Sequence, residues 1–222
     1  MMRSMFRKMT LTGFAVLAAA LLSPGAAHAQ VTLTPGNNPV AGDENVLLNN
    51  GLTGLTVFGA TNQTGLPVAF SVTDTTKETS LLTEPSGGQA RVEAVDGSLN
   101  NVGITVPNGT FTSLIFNANT ASTSPDFLTV QVNWKNGALT GTTTFANLPL
   151  GSGSNFVTLT GNPGTVFTSV VLTSDGGFRD LEQVRLGGAT VTPEPSAIAL
   201  AVPGLLPMGL MFLRRRKKAR SG

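Results

Sequence analysis

The chain has 222 residues, of which only 12% are charged, and a formal net charge of +2. It contains no cysteine, no tyrosine and one histidine, His28, which excludes disulfide frameworks, thiolate metal sites and cysteine nucleophiles. Its 26 glycines and few charges suit short strands and tight turns rather than a helical bundle.

At the N-terminus, Arg3, Arg7 and Lys8 form a positive segment. The apolar stretch 11–22 is shorter than the ~20 residues that a membrane-spanning helix needs. Ser23, Pro24 and Gly25 interrupt it, and Ala27-His28-Ala29 has the small-x-small form of a signal peptidase site. Residues 1–29 read as a secretory signal peptide, with signal peptidase cutting between Ala29 and Gln30. The break and the cleavage pattern weigh against a retained membrane anchor.

The body, 30–189, alternates short apolar runs with turn signals. Strands are expected at 55–58, 68–72, 90–95, 103–106, 111–116, 127–134, 140–145, 156–160, 166–172 and 181–186. Val130, Val132 and Trp134 share the period of two that marks a half-buried strand. Asn50-Gly51, Asp96-Gly97, Asn108-Gly109, Asn136-Gly137 and Asp175-Gly176 are candidate type I′ turns. With no amphipathic helix, the pattern predicts an all-β single domain, an antiparallel β-sandwich or jelly-roll. Its expected apolar anchors are Phe58, Phe70, Phe111, Phe116, Phe127, Trp134, Phe145, Phe156 and Phe167.

Residues 190–196 read as a linker containing Pro193-Glu194-Pro195. An uncharged apolar run follows at 197–213, at the short limit for a transmembrane helix. Arg214, Arg215, Arg216, Lys217 and Lys218 open the basic tail, 214–222, and form a cytoplasmic stop-transfer signal. A basic run of this kind also occurs in nucleic-acid binders, but here it abuts an apolar segment in an exported chain.

A Pro-Glu-Pro motif, a hydrophobic stretch and a terminal arginine cluster, in that order, resemble the PEP-CTERM sorting signal. The resemblance covers about the last thirty residues. It implies an inner-membrane-anchored precursor in a Gram-negative-type bacterium. An exosortase would cut it near the motif and pass it to the cell surface or extracellular matrix, often alongside exopolysaccharide production. Gly88-Gln89-Ala90-Arg91 and the stretch from Phe178 to Val184 resemble the uncharacterised β-rich ectodomains joined to such tails, which brings no activity with it.

Removing both ends changes the charge. The body from Gln30 to Thr192 keeps five basic residues against eleven acidic ones, a net charge of −6. Nucleic acid and anionic membrane surfaces are disfavoured as partners. With His28 gone, Ser-His-Asp catalysis has no base, and ordinary zinc sites lack ligands.

Three chemistries remain. Glycoside hydrolysis needs two acids about 5 to 9.5 Å apart across a cleft. Asp175, Asp180 and Glu182 cluster in sequence, as do Asp43 and Glu44, while Glu84, Glu93 and Asp96 form a looser group. Calcium is the one cofactor with candidate ligands, Asp43 and Glu44 or Asp175 and Asp180, although no EF-hand spacing occurs. Trp134, next to a hairpin tip, is the one indole that can stack on a sugar, while its parity favours the core. The leading expectation is a non-enzymatic exported protein with a structural or interaction role in the polysaccharide or biofilm matrix. The alternatives are a carbohydrate-binding module, calcium-assisted or not, and a carboxylate-dependent glycan hydrolase.

Overall fold

The structure is a computed structural model that describes residues 30–48, 51–86, 89–120 and 126–192. The expected signal peptide, the Pro-Glu-Pro motif, the apolar segment and the basic tail lie outside the described residues. Among the described residues there are fifteen strands in chain order. They are β1 (Val31–Pro35), β2 (Glu44–Leu48), β3 (Thr53–Gly54), β4 (Thr56–Thr61), β5 (Pro67–Ser71), β6 (Leu81–Ser86), β7 (Gln89–Ala94) and β8 (Leu99–Thr105). Then come β9 (Gly109–Thr110), β10 (Ser113–Thr120), β11 (Asp126–Asn136), β12 (Leu139–Leu150), β13 (Phe156–Gly161), β14 (Thr165–Gly187) and β15 (Thr190–Val191). The fold is all-β, with every strand pairing antiparallel. Among the described residues no helix is long and apolar enough to cross a membrane.

The 23-residue β14 organises the sheet. β11 and β8 flank its first half. Its second half pairs with β10 on one side and with β7 and then β2 on the other. The succession β14–β8–β5–β4–β2–β14 closes a ring of pairings. β1 and β13 extend the β10 side, and β12 extends the β11 side.

This strand corrects the expected Asp175-Gly176 turn. The runs 166–172 and 181–186 belong to one strand, and its register with β8 shifts between Thr173 and Phe178. Gly177 takes φ +76° there. A glycine at positive φ serves a bulge as well as a turn, so the local sequence alone does not separate the two.

Two of the Asn-Gly turns are corrected too, while Asn50 of the third lies outside the described residues. Asn136 pairs with Leu139, so the two-residue loop is Gly137-Ala138. Only Gly137 has positive φ, at +59°, which makes the turn type II′. At Val106-Pro107-Asn108-Gly109 the Gly109 N–H donates to Val106 O at 2.9 Å, with Asn108 at φ +54°. Proline second and positive φ third make this type II. Thr190–Val191, assigned to the linker from sequence, instead pairs with β9.

The core is a single cluster in which Phe70, Phe111, Phe116, Phe167 and Phe178 are fully buried. Phe111 and Phe167 meet edge to face, with centroids 5.6 Å apart and planes at 88°. Their main chains also exchange hydrogen bonds. Three expected anchors are not core residues: Phe156 is half-buried outside the core cluster, and Phe58 is 47% and Phe127 50% exposed. Phe58 and Phe127 each sit one strand position away from a buried valine or leucine, Val57 and Leu128, so alternation turns them outward.

Candidate functional site

The structure separates the carboxylates that the sequence singled out. Asp43 Oδ1 accepts from Ser113 Oγ at 2.6 Å and its Oδ2 from Val40 N–H at 2.7 Å. Glu44, the next residue, serves the turn after β4. Its Oε2 accepts from Gln63 N–H at 3.0 Å, Thr64 N–H at 2.8 Å and the Thr64 hydroxyl at 3.1 Å. These donors, the Thr64 N–H foremost, hold the Glu44 carboxyl below its ordinary range against the opposing effect of desolvation. A depressed carboxyl contributes stability above its unfolded value and loses it as pH falls through the folded one. Glu44→Gln is therefore expected to flatten the loss of stability between about pH 5 and about pH 3, read by urea unfolding at each pH. Equal acid sensitivity in both proteins contradicts that role.

Asp175 is 95% exposed at its side chain and pairs with Lys77 Nζ at 2.9 Å. A pair this exposed adds little stability. Asp180 is fully buried. Asp175 and Asp180 thus occupy different environments on one strand. No group of three or more His, Cys, Asp or Glu placed to hold a metal occurs among the described residues.

Trp134 is half-buried against the core, and its Nε1 donates to Thr143 Oγ1 at 3.0 Å. Its cross-strand neighbour is Gly141, where a Cβ would lie 2.5 Å from the indole Cζ2. The ring packs against the β12 backbone, a use that needs no ligand. Gly141→Ala is expected to push the indole toward water and shift its emission to the red. An unchanged spectrum would show that the ring has room to spare.

Asp180, Glu182 and Glu93, weighed from sequence only as acids in separate groups, belong to one polar group across β10, β14 and β7, whose asparagines the sequence reading missed. Asn117 pairs with Glu182 and Asn119 with Asp180, while Glu182 pairs with Arg91 and Asp180 with Glu93. The opposite face of β10 carries Leu114, Phe116 and Ala118 into the core. Asn155 N–H donates to Asn117 Oδ1 at 2.7 Å, and Asn117 Nδ2 to Asn119 Oδ1 at 3.2 Å. Asn119 Nδ2 then donates to Asp180 Oδ1 at 2.6 Å, and Arg179 Nε to Asp180 Oδ2 at 2.7 Å. Arg91 Nε stands 3.3 Å from Glu93 Oε2. Asp180 foremost, with Glu182 and Glu93, raises the Arg179 pKa. The signal was available: Asn-Ala-Asn inside a strand places a poor strand former twice on one face. Arg179, 57% exposed at its side chain, is the solvent-facing end of this chain of polar groups.

A groove of about 400 Å³ lies beside β1, β12 and β13, lined by Leu33, Pro35, Leu148, Pro149, Phe156 and Val157 among others. Asn155 borders it and ties down the preceding loop, donating from Nδ2 to the carbonyls of Gly151 at 3.0 Å and Gly153 at 2.9 Å.

No family model matches the chain, and no curated protein matches it. Two solved structures show a likeness. One is a mutant of CBM29-2, a family 29 carbohydrate-binding module, at 12% identity and a TM-score of 0.18, covering 74% of this chain and 99% of that one. The other is a Podospora anserina GH26-CBM35 β-(1,4)-mannanase, at 14% identity and a TM-score of 0.15, covering 60% of this chain and 28% of that one. At these TM-scores neither likeness carries an argument about fold or ligand.

Proposed function

We propose that the chain is an exported, non-enzymatic β-domain that works at the cell surface or in the extracellular polysaccharide matrix. Signal peptidase frees its N-terminus at Gln30, the apolar segment anchors the precursor in the inner membrane, and an exosortase sorts it through Pro193-Glu194-Pro195. One observation supports this reading most. Gln30 and Thr192, the residues next to the two expected cuts, are both tied into the body by main-chain hydrogen bonds. Gln30 O accepts from Asn162 N–H at 3.0 Å, and Thr192 N–H donates to Asn108 O at 2.8 Å. The acidic body agrees with a matrix role and disfavours nucleic acid as a partner.

The test is fractionation of the native host with and without its exosortase. The expected result is protein outside the cell or on its surface only when the exosortase is present. Equal export in both strains overturns the sorting reading.

A second reading, glycan binding, rests on the β7–β14 face. Arg179, Arg91 and Glu93 present planar charged groups of the kind that bond adjacent sugar hydroxyls, backed by buried Asp180 and Asn119. A glycan array with the mature protein is expected to give a ligand whose binding falls at least about tenfold in Arg179→Ala, the loss of one charged hydrogen bond. A chelator arm separates calcium-assisted binding from the rest. No binding to any glycan, or binding indifferent to Arg179→Ala, sinks this assignment.

A further inference from the structure

Gln30 is held more tightly than seating a strand requires. Its main-chain carbonyl already bonds Asn162 N–H, and Val31 pairs with Gly161 as β1 begins. Its side-chain amide oxygen, Oε1, accepts two further hydrogen bonds. Thr165 Oγ1 donates at 2.7 Å and Asn136 Nδ2 at 3.1 Å. Asn136 Nδ2 also donates to Thr165 Oγ1 at 3.0 Å, so the two donors brace each other. Thr165 is 1% exposed at the start of β14, and Asn136 closes the β11–β12 hairpin. Two donors fixed in the body of the fold thus converge on one carbonyl oxygen. That is the arrangement that stabilises negative charge on an oxygen when its carbon is attacked.

We propose that Gln30 is a modification site, at which the α-amine exposed by signal peptidase closes on the residue's own side-chain amide to give an N-terminal pyroglutamate. This rests on the cut between Ala29 and Gln30 proposed above. The amine nitrogen forms a bond to Cδ, and the carbonyl π electrons move onto Oε1, where Thr165 and Asn136 stabilise them. Collapse of the tetrahedral centre breaks the Cδ–Nε2 bond. Ammonia departs, carrying the proton that the amine gives up. The step needs no oxidant, metal or second substrate, and it is intramolecular because nucleophile and electrophile share one residue. The lactam keeps Oε1 and both of its hydrogen bonds. It also removes the free amine that an aminopeptidase requires, which suits a protein placed outside the cell. Thr165 and Asn136 act here as positioning residues.

The experiment is mass spectrometry of the N-terminal peptide of mature protein purified from the native host. The expected peptide begins at residue 30, is lighter than the unmodified sequence by one ammonia, and does not react with an amine label. Thr165→Val keeps the β-branched shape and removes the donor. In that variant uncyclised Gln30 is expected to accumulate, converting at least about tenfold more slowly at neutral pH. Thr165→Ser restores the hydroxyl and the rate, which distinguishes loss of the donor from loss of the fold. Unmodified Gln30 with a free amine in the wild-type protein overturns the proposal and leaves the cleavage reading standing. Equal conversion in the wild type and Thr165→Val overturns it too. A peptide beginning elsewhere removes the cut, and the proposal falls with it.

Discussion

Phe167→Ala is expected to lower the unfolding free energy by about 3–5 kcal/mol, the largest effect of any single substitution considered. The ring is fully buried at the start of β14, where it meets Phe111 edge to face. Truncation removes that contact and leaves a void among residues that belong to several strands. Phe111 and Phe167 also form an isolated bridge between their main chains, so the backbone is fixed there and has little freedom to collapse into the space. Urea unfolding followed by the emission of Trp134 measures the change, since it is the one tryptophan of the chain. A loss below about 1 kcal/mol would mean that the site repacks and that the Phe111–Phe167 bridge does not hold the backbone in place.

Asp180→Ala carries the second large effect, about 2–3 kcal/mol. Asp180 is the buried acceptor on which Asn119 Nδ2 and Arg179 Nε converge. Removing the carboxylate strands the amide of Asn119, which is 6% exposed, without a partner for that donor. A buried donor left unpaired costs about 1–3 kcal/mol. Arg179 adds less, because its exposed guanidinium returns to water. Asp180→Asn keeps an acceptor oxygen for Asn119 and surrenders only the half-exposed ion pair, so its expected cost is about 1 kcal/mol or less. The contrast between the two variants tests the network. Equal losses would show that the charge on Asp180, rather than its hydrogen bond to Asn119, sets the stability.

Much of the architecture was legible in the amino-acid pattern. Alternation placed Val130 and Val132 in the core and located β5, β7, β11 and β13 to within one or two residues at most of their ends. What failed did so for identifiable reasons. Asp175-Gly176 carries the chemistry of a turn, yet β14 is paired along both edges and runs on with a bulge, a tertiary outcome that no local window contains. Phe58 and Phe127 were assigned inward on hydrophobicity alone, whereas their strand parity turns them out. β2 was missed because Glu44 and Asn45 shorten its apolar run, whereas β1 went unassigned although Val31-Thr32-Leu33-Thr34 alternates as a strand does.

The candidate site was less legible than the fold. Asp43, Glu44, Asp175 and Asp180 were chosen because acids near one another in sequence can share a ligand. The pleat sends neighbours to opposite faces, and each of these carboxylates has a different partner. The group on β10, β14 and β7 is assembled by register across three strands far apart in the chain. The sequence showed Asn-Ala-Asn and the Arg91–Glu93 alternation separately, without the pairing that joins them.

The central claim is that the working protein is the stretch between two cuts, one before Gln30 and one near Pro193. Intact mass of the protein recovered from the native host, with and without the exosortase, tests this most directly. The account predicts one species spanning Gln30 to the neighbourhood of Pro193 when the exosortase is present, and a species that keeps its basic tail when it is absent. A full-length tail retained in the inner membrane under both conditions would contradict it.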